Sequence, residues 1–168
     1  MADGESVPRL VLISGATGVG KTTLAKAVAH EMGLARIASS DTIREVMRAT
    51  ASSSNPALNR SSYGRGEVGD AGTDWEDAAR AVEPGIDAVV ERARQQGVDL
   101  VLEGVHVVPS RRLLSAWESA GGAAVGVVVK IEDEDTHRER IEQREANTWR
   151  GAERYRIGFE RIRSIQRI

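Results

Sequence analysis

Residues 15 to 22 read Gly-Ala-Thr-Gly-Val-Gly-Lys-Thr and fit G-x-x-x-x-G-K-[ST] at every constrained position. Triphosphate binding is the chemistry such an octet can do: glycines let backbone N–H groups turn toward phosphate oxygens, a lysine supplies a point positive charge, and a threonine hydroxyl reaches Mg²⁺. The pattern assigns Gly15, Ala16, Thr17, Gly18, Val19, Gly20, Lys21, Thr22 and Thr23 to a nucleotide, with Thr22 directed at the metal. Two carboxylates follow short apolar runs. Asp41 comes after Ala35-Arg-Ile-Ala38 and reads either as a helix N-cap or as a functional acid. Glu103 closes Val98-Asp-Leu-Val-Leu102, placed like a Walker B carboxylate that would hold Mg²⁺ through water, or else as a solvated strand end. His106, three residues on, is suited to donate to a phosphate or carboxylate, or is simply exposed. His137, Arg140 and Arg144 are spaced i, i+3, i+7 and share one helical side, with Arg138 pointing elsewhere.

These residues must be carried by alternating strands and helices. Leu10–Ile13 leads into the loop, and Leu24, Ala25, Val28, Ala29 and Met32 recur at helical spacing after it, with Gly33 as the stop. Thr42 to Arg48 reads as a helix, and Ala49 to Asp74, rich in Ser, Asn and Gly, as a long surface connection, lid or substrate loop. Trp75 to Gln96 carries an apolar stripe in which Pro84 should kink or restart the helix. A short helix is expected over 109–119, and Ala123 to Ile131 as a strand of the buried parallel kind. Helices near 134–148 and 152–168, parted by Gly151, close the chain. The expected fold class is α/β, a three-layer α/β/α P-loop NTPase with a mostly parallel sheet of four or five strands and a helical lid at about 132–152. In such a sheet ligands lie outside the carboxyl ends of the strands, so the loop, Asp41 and Glu103 should converge.

At 168 residues, 40 % hydrophobic and 29 % charged, the chain reads as one domain. It has no cysteine, which excludes disulfides, thiolate metal sites and cysteine nucleophiles and suits a reducing compartment. No apolar run approaches the roughly 20 residues of a membrane span, and Met1 to Pro8 is unlike a secretory leader, so a cytoplasmic protein without membrane partners is expected. The net charge of −2 and 4 % aromatics argue against a nucleic-acid partner. After residue 135, however, nine arginines face five glutamates, and no lysine. Arginine favours forked recognition of phosphate or carboxylate, although solvated helix faces use it too. Such a face on a helix after the fourth strand would close over a triphosphate and offset charge on a transferring phosphoryl group.

The loop, Asp41-Thr-Ile-Arg44, Glu103-Gly-Val-His-Val-Val-Pro109 and the arginine helix together resemble the 2-phosphoglycerate kinase family, as do Leu58-Asn-Arg-Ser-Ser-Tyr63 and Arg154-Tyr155…Phe159…Ile162-Arg163 in order. The resemblance implies a P-loop small-molecule kinase that makes 2,3-bisphosphoglycerate from 2-phosphoglycerate and ATP with Mg²⁺. On that implication Lys21 spans the β and γ groups, Asp41 orients or deprotonates the acceptor hydroxyl, and Arg44 and His106 bind a phosphorylated small-molecule acceptor. Arg140 and Arg144 then act as lid arginines. The family also leads one to expect a fifth strand after the lid helices, where this chain ends at Ile168, and a glycine where Ser110 stands. Other readings are a kinase of another small phosphorylated or carboxylated acceptor, such as a mevalonate phosphate, and a regulatory module that binds ATP without transfer.

Overall fold

The computed structural model describes residues 7–51, 55–67, 69–146 and 153–168. In chain order the elements are β1 (Arg9–Ser14), α1 (Lys21–Glu31), β2 (Ile37–Ser39), α2 (Ser40–Thr50), α3 (Pro56–Asn59), α4 (Ala71–Gln95), β3 (Leu100–Gly104), α5 (Arg111–Ser119), β4 (Ala123–Val128), α6 (Glu134–Ala146) and α7 (Glu153–Gln166). The four strands form one sheet in the order β2-β3-β1-β4, and every pairing is parallel. Each parallel step requires a crossover, which α1, α4 and α5 supply.

Side-chain alternation sorts the layers. Leu10 and Leu12 of β1, with Leu100 and Leu102 of β3, bury against Val82, Ile86 and Val90 of α4 and Leu113 and Trp117 of α5. The intervening Val11, Ile13 and Val101 pack instead on Ala25 and Ala29 of α1. This is the period of two that a sheet covered on both faces demands. A third cluster joins Ala16 and Val19 of the glycine-rich loop to Ile141 of α6 and to Tyr155, Phe159, Ile162 and Ile165 of α7, above the carboxyl ends of the strands. No helix among the described residues is long and apolar enough to cross a membrane.

Several sequence expectations are corrected. α4 begins at Ala71 and runs as a single helix through Pro84. Tertiary packing holds that region, because Ile43 and Met47 of α2 press on the backbone at Gly85, where a side chain would collide. The 49–74 connection shortens from both ends, since α2 reaches Thr50 and α3 forms inside it. Residues 52–54 and 68 lie outside the described residues. The rest of the connection is gathered by Arg161 of α7, which donates to the carbonyls of Tyr63 (2.9 Å) and Gly69 (2.8 Å) and to Asp74 Oδ2 (2.7 Å). α5 starts at Arg111, with Pro109 before it and Ser110 as the N-cap accepting from the Leu113 N–H at 3.4 Å, a conformation that needs no glycine. Asp99, the polar exception in the strand expected from Val98, lies just before β3 and takes the Arg9 guanidinium at 2.8 Å and its backbone N–H at 2.7 Å.

The fourth strand is not of the buried kind. Among the described residues β4 is an edge strand that pairs only with β1, and it ends at Val128. In register, Val125 and Val127 lie beside Val11 and Ile13 on the α1 side of the sheet, yet both are exposed, as is Val128 at 65 %. Hydrophobicity alone could not distinguish a covered strand from this one. Leu12→Ala, in the core, should therefore cost about 3 kcal/mol by urea denaturation, against less than ~1 kcal/mol for Val125→Ala. Equal losses would mean that the outer face of β4 is covered in solution.

Candidate active site

The glycine-rich loop connects the buried end of β1 to α1. Gly18 has φ +86° and Gly20, the residue before α1, φ +97°, backbone conformations that favour glycine. A side chain on Gly18 would also run into Ile141 of α6. No side chain caps α1 and no acid occupies its first turn, so its N-terminal N–H groups face the loop with their positive dipole uncompensated. Lys21 Nζ donates to the Ala16 carbonyl at 2.7 Å, across the loop. Burial pushes the Lys21 ammonium down to about 8, with Glu103 and Asp41 holding it up and Arg144 lowering it further.

Glu103 is 5 % exposed and is no solvated strand end. It pairs in register with Ile13 on one side and Ser39 on the other, and by alternation it shares the α1 face with Val101. The Thr22 hydroxyl therefore reaches it and donates to Oε1 at 3.1 Å. This hydroxyl and single carboxylate beside a phosphate loop fit Mg²⁺, which keeps several waters and takes other ligands from phosphate. The described residues hold no cluster of three His, Cys, Asp or Glu that could cage a metal unaided.

Asp41 is not the helix cap. Ser39 caps α2, its hydroxyl accepting from the Asp41 N–H at 3.3 Å, and this leaves the Asp41 carboxylate 68 % exposed in the first turn. His106 is buried, with Nδ1 3.4 Å from the Ser40 hydroxyl and 3.6 Å from Asp41 Oδ1, while Nε2 has no hydrogen-bond partner among the described residues. Burial pushes the His106 ring down to about 4, with Asp41 raising it and Arg44 and Lys21 lowering it. The imidazole is thus neutral near pH 7 and lies behind Asp41. Arg44 is half-buried and donates to the Arg60 carbonyl and to Glu45, both at 2.8 Å.

The late helix presents the side that its spacing predicts. His137 meets the Thr17 carbonyl at 2.8 Å, Arg140 lies beside Gly20, and Arg144 donates to the Tyr155 hydroxyl at 3.0 Å. Arg138 turns to Glu134 and stacks on Phe159. Residues 147–152 of the expected lid lie outside the described residues.

Two clefts meet at this centre. One, of about 710 Å³, is lined by Gly18, Thr23, Leu24, Arg140 and Gln143. The other, of about 660 Å³, is lined by Asp41, Arg44, Ser61, Tyr63, Glu103 and Arg154. Lys21, Thr22 and Arg144 belong to both. No site role was assigned from the sequence to Glu45, Arg48, Ser61, Ser62 or Tyr63, although Ser61, Ser62 and Tyr63 stand in a segment that carries the family resemblance and all five line the second cleft. Arg48 carried a usable signal, since Asp41, Arg44 and Arg48 recur at i, i+3, i+7 on α2.

A family model described as an AAA domain matches residues 10–166. The chain belongs to the AAA domain family. This AAA domain is 38 % identical to the 2-phosphoglycerate kinase of Methanopyrus kandleri, over 94 % of this chain and 51 % of that protein. It is 34 % identical to the 2-phosphoglycerate kinase of Methanothermobacter thermautotrophicus, over 95 % of this chain and 56 % of that protein. The chain thus spans about half the length of these curated relatives. A provisionally assigned kinase from Chloroflexus aurantiacus superposes with a TM-score of 0.52 at 20 % identity, covering 88 % of this chain and 74 % of that one, and shows the same three-layer α/β/α P-loop fold.

The depressed Lys21 gives the AAA domain a measurable proton linkage. A polyphosphate bound against Lys21 would raise that ammonium again, so on binding tripolyphosphate at pH 8 the wild type should take up about half a proton more than Lys21→Met. Calorimetry in buffers of different ionisation heat reads this difference, and no difference would remove Lys21 from the phosphate contact.

Proposed function

We propose that the chain is the catalytic portion of an ATP-dependent small-molecule kinase that phosphorylates 2-phosphoglycerate to 2,3-bisphosphoglycerate in the cytoplasm. One observation carries this reading: the two clefts share Lys21, Thr22 and Arg144, so a donor phosphate in one would border an acceptor in the other. The second cleft suits an acceptor with two anionic groups, since Arg44, Arg48 and Arg154 line it together with the hydroxyl side chains of Ser61 and Ser62. The curated relatives that align along most of this chain bear the name of that activity.

In this mechanism the loop from Gly15 to Thr22 holds the triphosphate, and Lys21 sits between donor and acceptor. Thr22 and Glu103 would hold Mg²⁺, which when bound neutralises charge on the phosphate oxygens. Asp41 projects into the acceptor cleft and orients the acceptor hydroxyl. That oxygen bonds to the γ-phosphorus, the bond from phosphorus to the β–γ bridging oxygen breaks, ADP leaves with the electron pair, and the hydroxyl proton passes to Asp41. Arg140 and Arg144 compensate charge on the moving group from the lid side, and His106, placed behind Asp41, contributes to the acceptor side. Rate enhancement of this kind is positioning and electrostatics.

ADP release with Mg·ATP, with and without 2-phosphoglycerate, tests the reading when the product is identified by mass. Acceptor-dependent ADP together with 2,3-bisphosphoglycerate is expected, whereas nucleotide binding without turnover on this acceptor would overturn the substrate assignment. Lys21→Ala should lower kcat by roughly a hundredfold or more. Asp41→Asn, which keeps the side-chain shape, should lower it by on the order of 10²-fold or more while nucleotide affinity holds. Unchanged turnover in the latter would take Asp41 out of the chemistry.

A further inference from the structure

Phosphoryl transfer as described gives no task to His137, a fully buried residue in the first turn of α6. Both of its ring nitrogens are engaged. Nε2 lies 2.8 Å from the Thr17 carbonyl oxygen in the phosphate loop, and Nδ1 lies 3.5 Å from Arg163 Nη1 on α7. A carbonyl can only accept and a guanidinium can only donate, so Nε2 carries the hydrogen and Nδ1 keeps its lone pair. Arg163 is itself fastened, donating to the carbonyls of Ile131 at 2.7 Å and Glu132 at 2.8 Å. Phe159 meets the ring edge-on.

The helix that carries this ring meets α7 through Arg138, Glu142 and Arg144, all at least partly exposed. Among the described side chains of α6, only His137 and Ile141 are buried. Ile141 occupies the space that Gly18 leaves by having no side chain, so both buried side chains of α6 touch the phosphate loop, at consecutive residues Thr17 and Gly18. In a trans peptide the carbonyl and the following N–H point oppositely, so holding the Thr17 carbonyl toward α6 also sets the direction of the Gly18 N–H.

We infer that His137 is a positioning residue that fastens the arginine helix to the phosphate loop, so that loop, Arg140 and Arg144 keep one arrangement around the first cleft. The inference rests on the reading of that cleft as a nucleotide site. The bridge requires a neutral ring. The charged groups facing it are Arg163 of α7, Lys21 of α1 and Arg140 of α6, all cationic. Burial first, then these cations, hold His137 below the ordinary histidine range, against the Thr17 carbonyl, which raises it. The contribution of the bridge is therefore complete above about pH 6.5 and is lost as pH falls through the lowered value. A proton on Nδ1 would replace an acceptor by a cation facing the Arg163 guanidinium.

Glutamine can imitate the neutral ring, its amide N–H donating to Thr17 and its carbonyl accepting from Arg163, without titrating. Methionine fills the space and bridges nothing. ADP affinity by calorimetry and hydrogen exchange over residues 15–22 should be compared for wild type, His137→Gln and His137→Met at pH 7.5 and 5.5. At pH 7.5, His137→Met should bind ADP roughly tenfold more weakly, with faster exchange in the loop, while His137→Gln stays within about threefold of wild type. On acidification wild type should lose more affinity than His137→Gln, whose loss reports only the groups common to both. Wild-type-like binding and exchange in His137→Met, or an acid loss in His137→Gln as steep as wild type's, would overturn the inference. If His137→Met does not fold, the pH comparison decides alone. Absence of transfer to 2-phosphoglycerate would sink the substrate assignment and leave the bridge standing. If no ADP binds at all, loop exchange without nucleotide still decides the role of His137.

Discussion

The parallel register between β1 and β3 is the constraint on which the site depends. It sets Ile13 beside Glu103 and Ser14 beside Gly104, so the loop leaving β1 and the carboxylate ending β3 emerge at the same height. Strand alternation then puts Glu103 on the face covered by α1, and α1 begins with Lys21 and Thr22. The Thr22–Glu103 hydrogen bond follows from two periodicities and one register. A slip of one residue would turn Glu103 toward α4 and α5, into a core of leucine, valine and tryptophan where no donor waits.

Much of this was legible in the sequence because the signals were local. The loop motif lies within eight residues, the strand and helix flanking it announce themselves by period, and Asp41 and Glu103 stand where apolar runs stop. What stayed hidden depended on contacts distant in the chain. A serine two residues before Asp41 takes the capping role, and nothing in a Ser-Ser-Asp run says which of the three will do so. His106 is buried and meets Ser40, 66 residues away. Tyr63, Gly69 and Asp74 are tied to Arg161, roughly ninety residues further on, and a polar segment without period carries no mark of such a partner. Exposure of β4 depends on which helices cover which face, information that a run of alanine, valine and glycine does not contain.

The electrostatic design is a half-buried lysine balanced by acids of unequal burial. Glu103 is enclosed and Asp41 open, yet both support the Lys21 charge that desolvation opposes. The two buried histidines stand on opposite sides of this centre, one against the phosphate loop and one behind Asp41, and both are held neutral by burial. Positive charge on His106 would compete with the lysine for Asp41, and positive charge on His137 would add to the cations around it. Neutral rings supply donors and acceptors there without altering the charge that a phosphate would meet.

The open edge of the sheet has a colloidal consequence. β4 is six residues of alanine, valine and glycine, without charge or proline, and its outer side has no strand partner among the described residues. Natural edges are blunted by lysine, proline or bulges, and this one has none of those within its span. A net charge of −2 over 168 residues adds little long-range repulsion to keep such edges apart. For the described chain, copies could therefore meet edge to edge through one short strand far less polar than the chain as a whole, and salt would favour that meeting by screening what little charge there is.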